Sequence, residues 1–97
     1  MQKLNEYRDE LHKLAVSKGF WNASKNIPEK LMLIVSELGE AMEAHRHGDV
    51  ENFREEIADT FIRLFDLCGY LDIDIEKEIQ WKHLKNKKRP YLHGKKY

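Results

Sequence analysis

The chain has one cysteine, two prolines and five glycines in 97 residues, and its longest apolar run is Leu31-Met32-Leu33-Ile34-Val35. Each scarcity excludes something. A lone Cys68 forms no internal disulfide, so no disulfide framework staples the fold, and a reducing cytoplasm is the expected setting. An apolar run of five residues is far short of the ~20 needed to span a bilayer. The first residues, MQKLNEYRDELHKL, are charged throughout and lack the apolar core of a secretory signal. No stretch of four to eight residues alternates apolar with polar, so no strand is expected. What is present, 41% apolar and 35% charged residues, is too apolar for a disordered chain and too charged for a membrane protein. Residues 1–97 are therefore expected to form a single domain, with 90–97 as a basic tail.

Acid is missing from one end. Residues 1–81 hold all 17 acids and 10 of the bases, a balance of −7, whereas 82–97 hold seven bases and no acid. An acidic body beside a basic tail implies an anionic partner, or a tail that closes over the body.

The periodicity predicts four helices. Leu4, Tyr7, Leu11 and Leu14 recur at helical spacing and Gly19 supplies a stop. The connection GFWNASKNI follows, with an unexpectedly apolar Phe20-Trp21 pair. A second helix is expected from about Pro28, capped by Asn26, to His47 before Gly48. The third is capped by Asp49 and ends near Cys68-Gly69, and the fourth is capped by Asp72 or Asp74 and broken at Pro90.

Two acid pairs stand out. Glu37-x-x-Glu40 lies on the second helix and Glu56-x-x-Asp59 on the third. At ~100° per residue, Leu31, Ile34, Val35, Leu38, Ala41, Met42 and His45 form an apolar arc on the second helix, with Leu33 on its far side, and Glu37 falls inside that arc. A carboxylate facing a core is costly unless something cationic meets it. On the third helix Glu56 and Asp59 lie between two apolar strips: Phe53, Ile57, Thr60, Phe61, Leu64 and Cys68 form one, Ala58, Ile62 and Phe65 the other. Such a helix is expected to have two neighbours, more than a small monomer easily offers. Residues 40 and 56 lie eight before and eight after Gly48, so an antiparallel turn there brings the pairs face to face. Four converging carboxylates suit a hard divalent cation, Mg²⁺ or Mn²⁺. No Glu is followed three residues later by His, which argues against a ferritin-like di-iron site.

A single Glu-x-x-Glu is commonplace on a solvated helix. Two that face each other, one inside an apolar arc, are not. Glu43, Glu51 and Glu55 read as surface acids, Cys68 as inert core, His45 as a hydrogen-bonded structural histidine and His47 as a helix-end residue. Trp21 is either core filling or an aromatic placed to stack on a base.

The segments Ser36-Glu37-Leu38-Gly39-Glu40-Ala41-x-Glu43-Ala44 and Glu55-Glu56-Ile57-Ala58-Asp59-Thr60 resemble the MazG-like family of all-α nucleoside triphosphate pyrophosphohydrolases. So do the GFW loop before them and Lys82-x-x-x-Asn86-x-x-Arg89-Pro90 after them, and the likeness runs from about residue 12 to 90. It implies a four-helix bundle-like fold completed by dimerisation, with dimers or paired dimers as the functional unit. It implies Mg²⁺ held by Glu37, Glu40, Glu56 and Asp59. It also implies phosphate or sugar contacts from Lys82, Asn86 and the neighbouring Arg89, and base contacts near His12 and Trp21. A second base-stacking aromatic of some relatives is His47 here. The implied reaction is attack of water at the α-phosphorus of a nucleoside triphosphate, releasing pyrophosphate, with one of the four carboxylates orienting the water.

Two other readings compete with the enzyme. A helical adaptor whose basic tail binds nucleic acid explains the tail but not Glu37 in an apolar arc. The other is a bundle that sequesters nucleotides without cleaving them, which tight triphosphate binding with no pyrophosphate release in Mg²⁺ would support.

Overall fold

The computed structural model describes residues 3–96. Its helices are α1 (Leu4–Ser17), α2 (Phe20–Ala23), α3 (Ile27–Arg46), α4 (Val50–Tyr70) and α5 (Ile75–Lys87), followed by a 3₁₀ turn at Tyr91–Gly94. The described residues contain no strand, so the chain is all-α as expected. No described helix is long and apolar enough to cross a membrane.

The caps follow from the sequence. Asn26 accepts a hydrogen bond from the Glu29 amide, Asp49 from Asn52 and Asp74 from Lys77, at 3.0–3.1 Å. Each satisfies an amide that the first helical turn leaves orphaned, worth about 1 kcal/mol. Between α3 and α4 Gly48 takes a left-handed φ of +70°, which lets the chain reverse within three residues.

Two local expectations are corrected. Gly69 does not end its helix, because α4 runs through it to Tyr70. A Cβ at Gly69 would stand 2.6 Å from that of His12, so the glycine serves the close approach of α1 and α4 rather than a turn. The segment after Gly19 is not wholly loop either. It contains α2, a single turn stabilised by burying Trp21 against Ile34 and Leu67. One turn has too little periodicity to be seen in sequence.

Helix α4 is central, with α1 on one side and α3 on the other. Two neighbours of α4 are therefore supplied by the same chain. Helix α5 packs mainly on α1, and its first turn is fastened there. Asn5 donates to Asp74 at 2.8 Å and accepts from the Ile75 amide at 2.9 Å, while the Leu4 amide donates to Glu76 at 3.0 Å. Hydrogen bonds from Asn5 and from the Lys77 amide hold the Asp74 carboxyl below its ordinary pKa.

Within one chain the helices form an open frame. The radius of gyration is 15.8 Å, against ~12.5 Å for a compact chain of this length. The accessible surface is 7932 Å², about 2,100 Å² more than the ~5,800 Å² that the mass predicts. The α3 arc shows where the excess lies. Ile34, Glu37, Ala41 and Ala44 are buried, but Leu31, Val35, Leu38 and Met42 are exposed, and so is His45, which is not the core histidine expected. The sequence arc is wider than one chain covers. On α4 Ala58, Phe61, Ile62 and Leu64 are likewise exposed.

Candidate active site

The buried face of α3 and the facing side of α4 bring the acids together. Carboxylate oxygens of Glu37, Glu56 and Asp59 all lie within 4.8 Å of one another, with Glu37 buried, Glu56 half-buried and Asp59 exposed. Glu40 lies outside that trio. It is exposed and lines a shallow groove near the α3–α4 turn, together with Glu43, Asp49 and Glu56.

The electrostatics follow from this crowding. Hydrogen bonds with Glu37 and then Glu40, added to partial burial and the charges of both, push the Glu56 carboxyl up to about 7. Carboxylates this close share protons rather than all ionise. The second oxygen of Glu56 is buried and meets no hydrogen-bond partner. Glu37 moves the opposite way. Burial alone would raise it, but hydrogen bonds from Arg63 and Glu56 and the Arg63 charge bring it below the ordinary carboxylate value. The Arg63 Nε donates to Glu37 Oε1 at 2.8 Å. The cation required by a carboxylate in an apolar arc is thus, in the protein itself, an arginine.

Glu37, Asp59 and Arg63 also line a cavity of about 240 Å³. Phe20, Trp21, Ala15, Ile62 and Leu67 supply its apolar lining, with Lys30 and Asp66 adding further charge. The size is just below the ~300 Å³ at which small-ligand sites begin, and an apolar wall facing a few convergent charges is their usual composition. Lys30 sits with the aromatic lining: its Nζ donates to the Phe20 carbonyl at 2.8 Å and lies 4.4 Å from the Trp21 ring centre.

Trp21 is only 4% exposed and belongs to the core, stacked on Tyr70 with centroids 4.0 Å apart. Its indole N–H donates to Asp66 at 2.9 Å. The same Asp66 oxygen lies 2.7 Å from His12 Nδ1. His12 therefore does not wall the cavity. It packs edge-on to Trp21 and braces the tryptophan through their shared carboxylate.

The basic residues are not gathered with the acids in one protomer. Lys82 and Asn86 share a groove on α5 with Glu78, Ile79 and His83, as their i, i+4 spacing requires. The side-chain oxygen of Asn86 is buried there without a partner, and Arg89 is half-buried just beyond the helix. Among the described residues none of the three pairs with the acidic cluster. Cys68 is a half-buried free thiol whose pKa burial pushes up, in keeping with an inert core residue.

Sequence reasoning passed over Arg63, Lys30 and Asp66, although the helical wheel holds all three. At ~100° per residue Arg63 falls between Glu56 and Asp59, Asp66 beside Asp59, and Lys30 beside Glu37. No protein-family model, curated protein or solved structure matches this chain.

Proposed function

We propose that the chain is a divalent-cation-dependent nucleoside triphosphate pyrophosphohydrolase of the MazG-like type, acting as a dimer. The observation that carries this reading is the convergence of Glu37, Glu56 and Asp59 from two i, i+3 acid pairs, with Glu37 and Asp59 lining a cavity that Phe20 and Trp21 also line. The donor set fits a hard cation. Three carboxylates are within 4.8 Å of one another, one has an unpartnered buried oxygen, and hydrogen bonds with Glu37 and Glu40, burial and their charges push the Glu56 carboxyl up to about 7. Glu37, Glu56 and Asp59 would hold Mg²⁺ or Mn²⁺, with Glu40 joining through its contact with Glu56.

When bound, the cation would neutralise the triphosphate and lower the pKa of a water. The protein's own residues do the rest. Exposed Phe20 provides an apolar face for a base, and Trp21 beside it is held rigid in the core by the stack on Tyr70 and the bond to Asp66. Lys30 adds a positive charge to the cavity lining, over the Trp21 ring. A carboxylate of the cluster accepts the proton of the attacking water at an oxygen the cation leaves free. Lys82, Asn86 and Arg89 bind phosphate or sugar once dimerisation has brought a basic α5 face to an acidic cluster. About 2,100 Å² of excess surface per chain is the scale that obligate dimers bury.

The test is a panel of canonical and modified nucleoside triphosphates with Mg²⁺, reading pyrophosphate. Release is expected for at least one of them, lost in EDTA and in Glu37→Gln and Asp59→Asn variants that keep their helicity. Undiminished release in EDTA sinks the reading. The adaptor alternative draws on Trp81, which is 67% exposed beneath the Lys77 ammonium on α5. Salt-sensitive binding of single strands, with no pyrophosphate from any triphosphate, is the result that favours it.

A further inference from the structure

Arg63 pairs with Glu37 in a way that a structural bridge does not need. A buried structural bridge is sheltered on both sides, yet the Arg63 side chain is 34% exposed against 11% for Glu37. Only its Nε is engaged. The other N–H groups of the guanidinium fork meet no protein acceptor among the described residues. Its side chain lies on the wall of the cavity, in company with Lys30 and Asp59.

Glu37 is also one of the three carboxylates that a divalent cation in the acidic trio would take. The guanidinium and that cation then compete for one carboxylate, because two positive charges drawn to it within a few ångströms repel each other. The arginine stem is long and partly solvated, so its head can leave Glu37 by rotamer change alone. The cavity is where it would go. There a freed planar fork of donors suits two oxygens of a phosphate.

We propose that Arg63 is an exchange residue. It neutralises Glu37 until a divalent cation displaces it, and then binds the phosphates of the incoming nucleotide from the cavity wall. The proposal rests on the reading of Glu37, Glu56 and Asp59 as a cation site. It adds an order of events, since the cation that enters also releases the arginine needed by the substrate.

Manganese binding to the full chain without nucleotide, read by electron paramagnetic resonance, separates the two claims. Loss of a competing charge should make Arg63→Met bind Mn²⁺ about tenfold tighter than wild type. The same variant should bind a non-hydrolysable triphosphate analogue about tenfold more weakly at saturating Mn²⁺. Arg63→Lys, which keeps the charge but not the fork, should leave Mn²⁺ affinity near wild type and still weaken the analogue. A merely structural arginine gives the reverse: Mn²⁺ affinity falls with the melting temperature. If Arg63→Met does not fold, Arg63→Gln, neutral but able to donate to Glu37, carries the same comparison. Wild-type protein that binds Mn²⁺ beside a variant that binds it no tighter overturns the exchange alone. Wild-type protein that binds no Mn²⁺ overturns the cation site and the exchange together.

Discussion

Leu38→Glu should turn a dimer into a monomer without disturbing the helices. Leu38 stands on the exposed α3 stripe with Leu31, Val35 and Met42, and 48% of it remains accessible in the single chain. Burying a whole leucine contributes about 1.5–3 kcal/mol, so covering the remaining half contributes about 1 kcal/mol. A two-fold interface uses the site twice, which makes about 2 kcal/mol. The substituted glutamate adds the cost of desolvating an unpaired carboxylate, several kcal/mol per ion. A loss of at least 4 kcal/mol weakens the dimer by about a thousandfold. If the stripe were ordinary surface, the same substitution would change stability by no more than about 0.5 kcal/mol and association not at all. Sedimentation equilibrium at micromolar concentration, with circular dichroism as a check on helicity, distinguishes the cases. A wild type that sediments as a monomer, or a variant with the wild-type association constant, refutes the reasoning.

Three further outcomes are expected. Because Glu56 is raised from 4.5 to about 7, the folded state holds its proton longer than the unfolded chain does, so without divalent cations stability should fall as pH rises between those values. Glu56→Gln should flatten that slope in melting curves taken in EDTA from pH 4 to pH 8. Gly69→Ala forces a Cβ to within 2.6 Å of His12 and should cost about 1–3 kcal/mol, seen as a melting temperature lower by several degrees. Lys82→Ala and Asn86→Ala should each lower kcat/KM by the equivalent of about 1–3 kcal/mol at fixed Mg²⁺ and ionic strength, while Lys95→Ala and Lys96→Ala, past Pro90, should do less.

The long helices and their caps were legible because they are local. Asn26, Asp49 and Asp74 do their work within three residues, and the apolar repeats need only one helix to be seen. The meeting of Glu37 with Glu56 and Asp59 was legible too, since a tight turn at Gly48 fixes the register of α3 on α4, but Glu40 lies outside their cluster. The rest depends on which neighbour arrives. The wheel of α3 shows an apolar arc but not that α4 covers only Ile34, Glu37, Ala41 and Ala44, leaving Leu31, Val35, Leu38 and Met42 outside. Gly69 reads as a stop because helix ends and tight crossings ask for the same residue, and only the nearness of His12 tells them apart. Arg63 sat on the right face throughout. Its role stays hidden until the long-range partner, Glu37, is known.

The fastening of α5 has a mechanical consequence. Thirteen residues of helix make a rod about 20 Å long, and the bonds at its base are those of Asn5 and Glu76. A tilt of about 10° at that joint swings the far end through roughly 3.5 Å, more than the length of a hydrogen bond. Lys82 and Asn86 are therefore carried by a lever whose joint to α1 is made by the Leu4 amide, Asn5 and Arg8, which donates to the Ile73 carbonyl at 2.7 Å. Accuracy at the basic face is a matter of stiffness at α1.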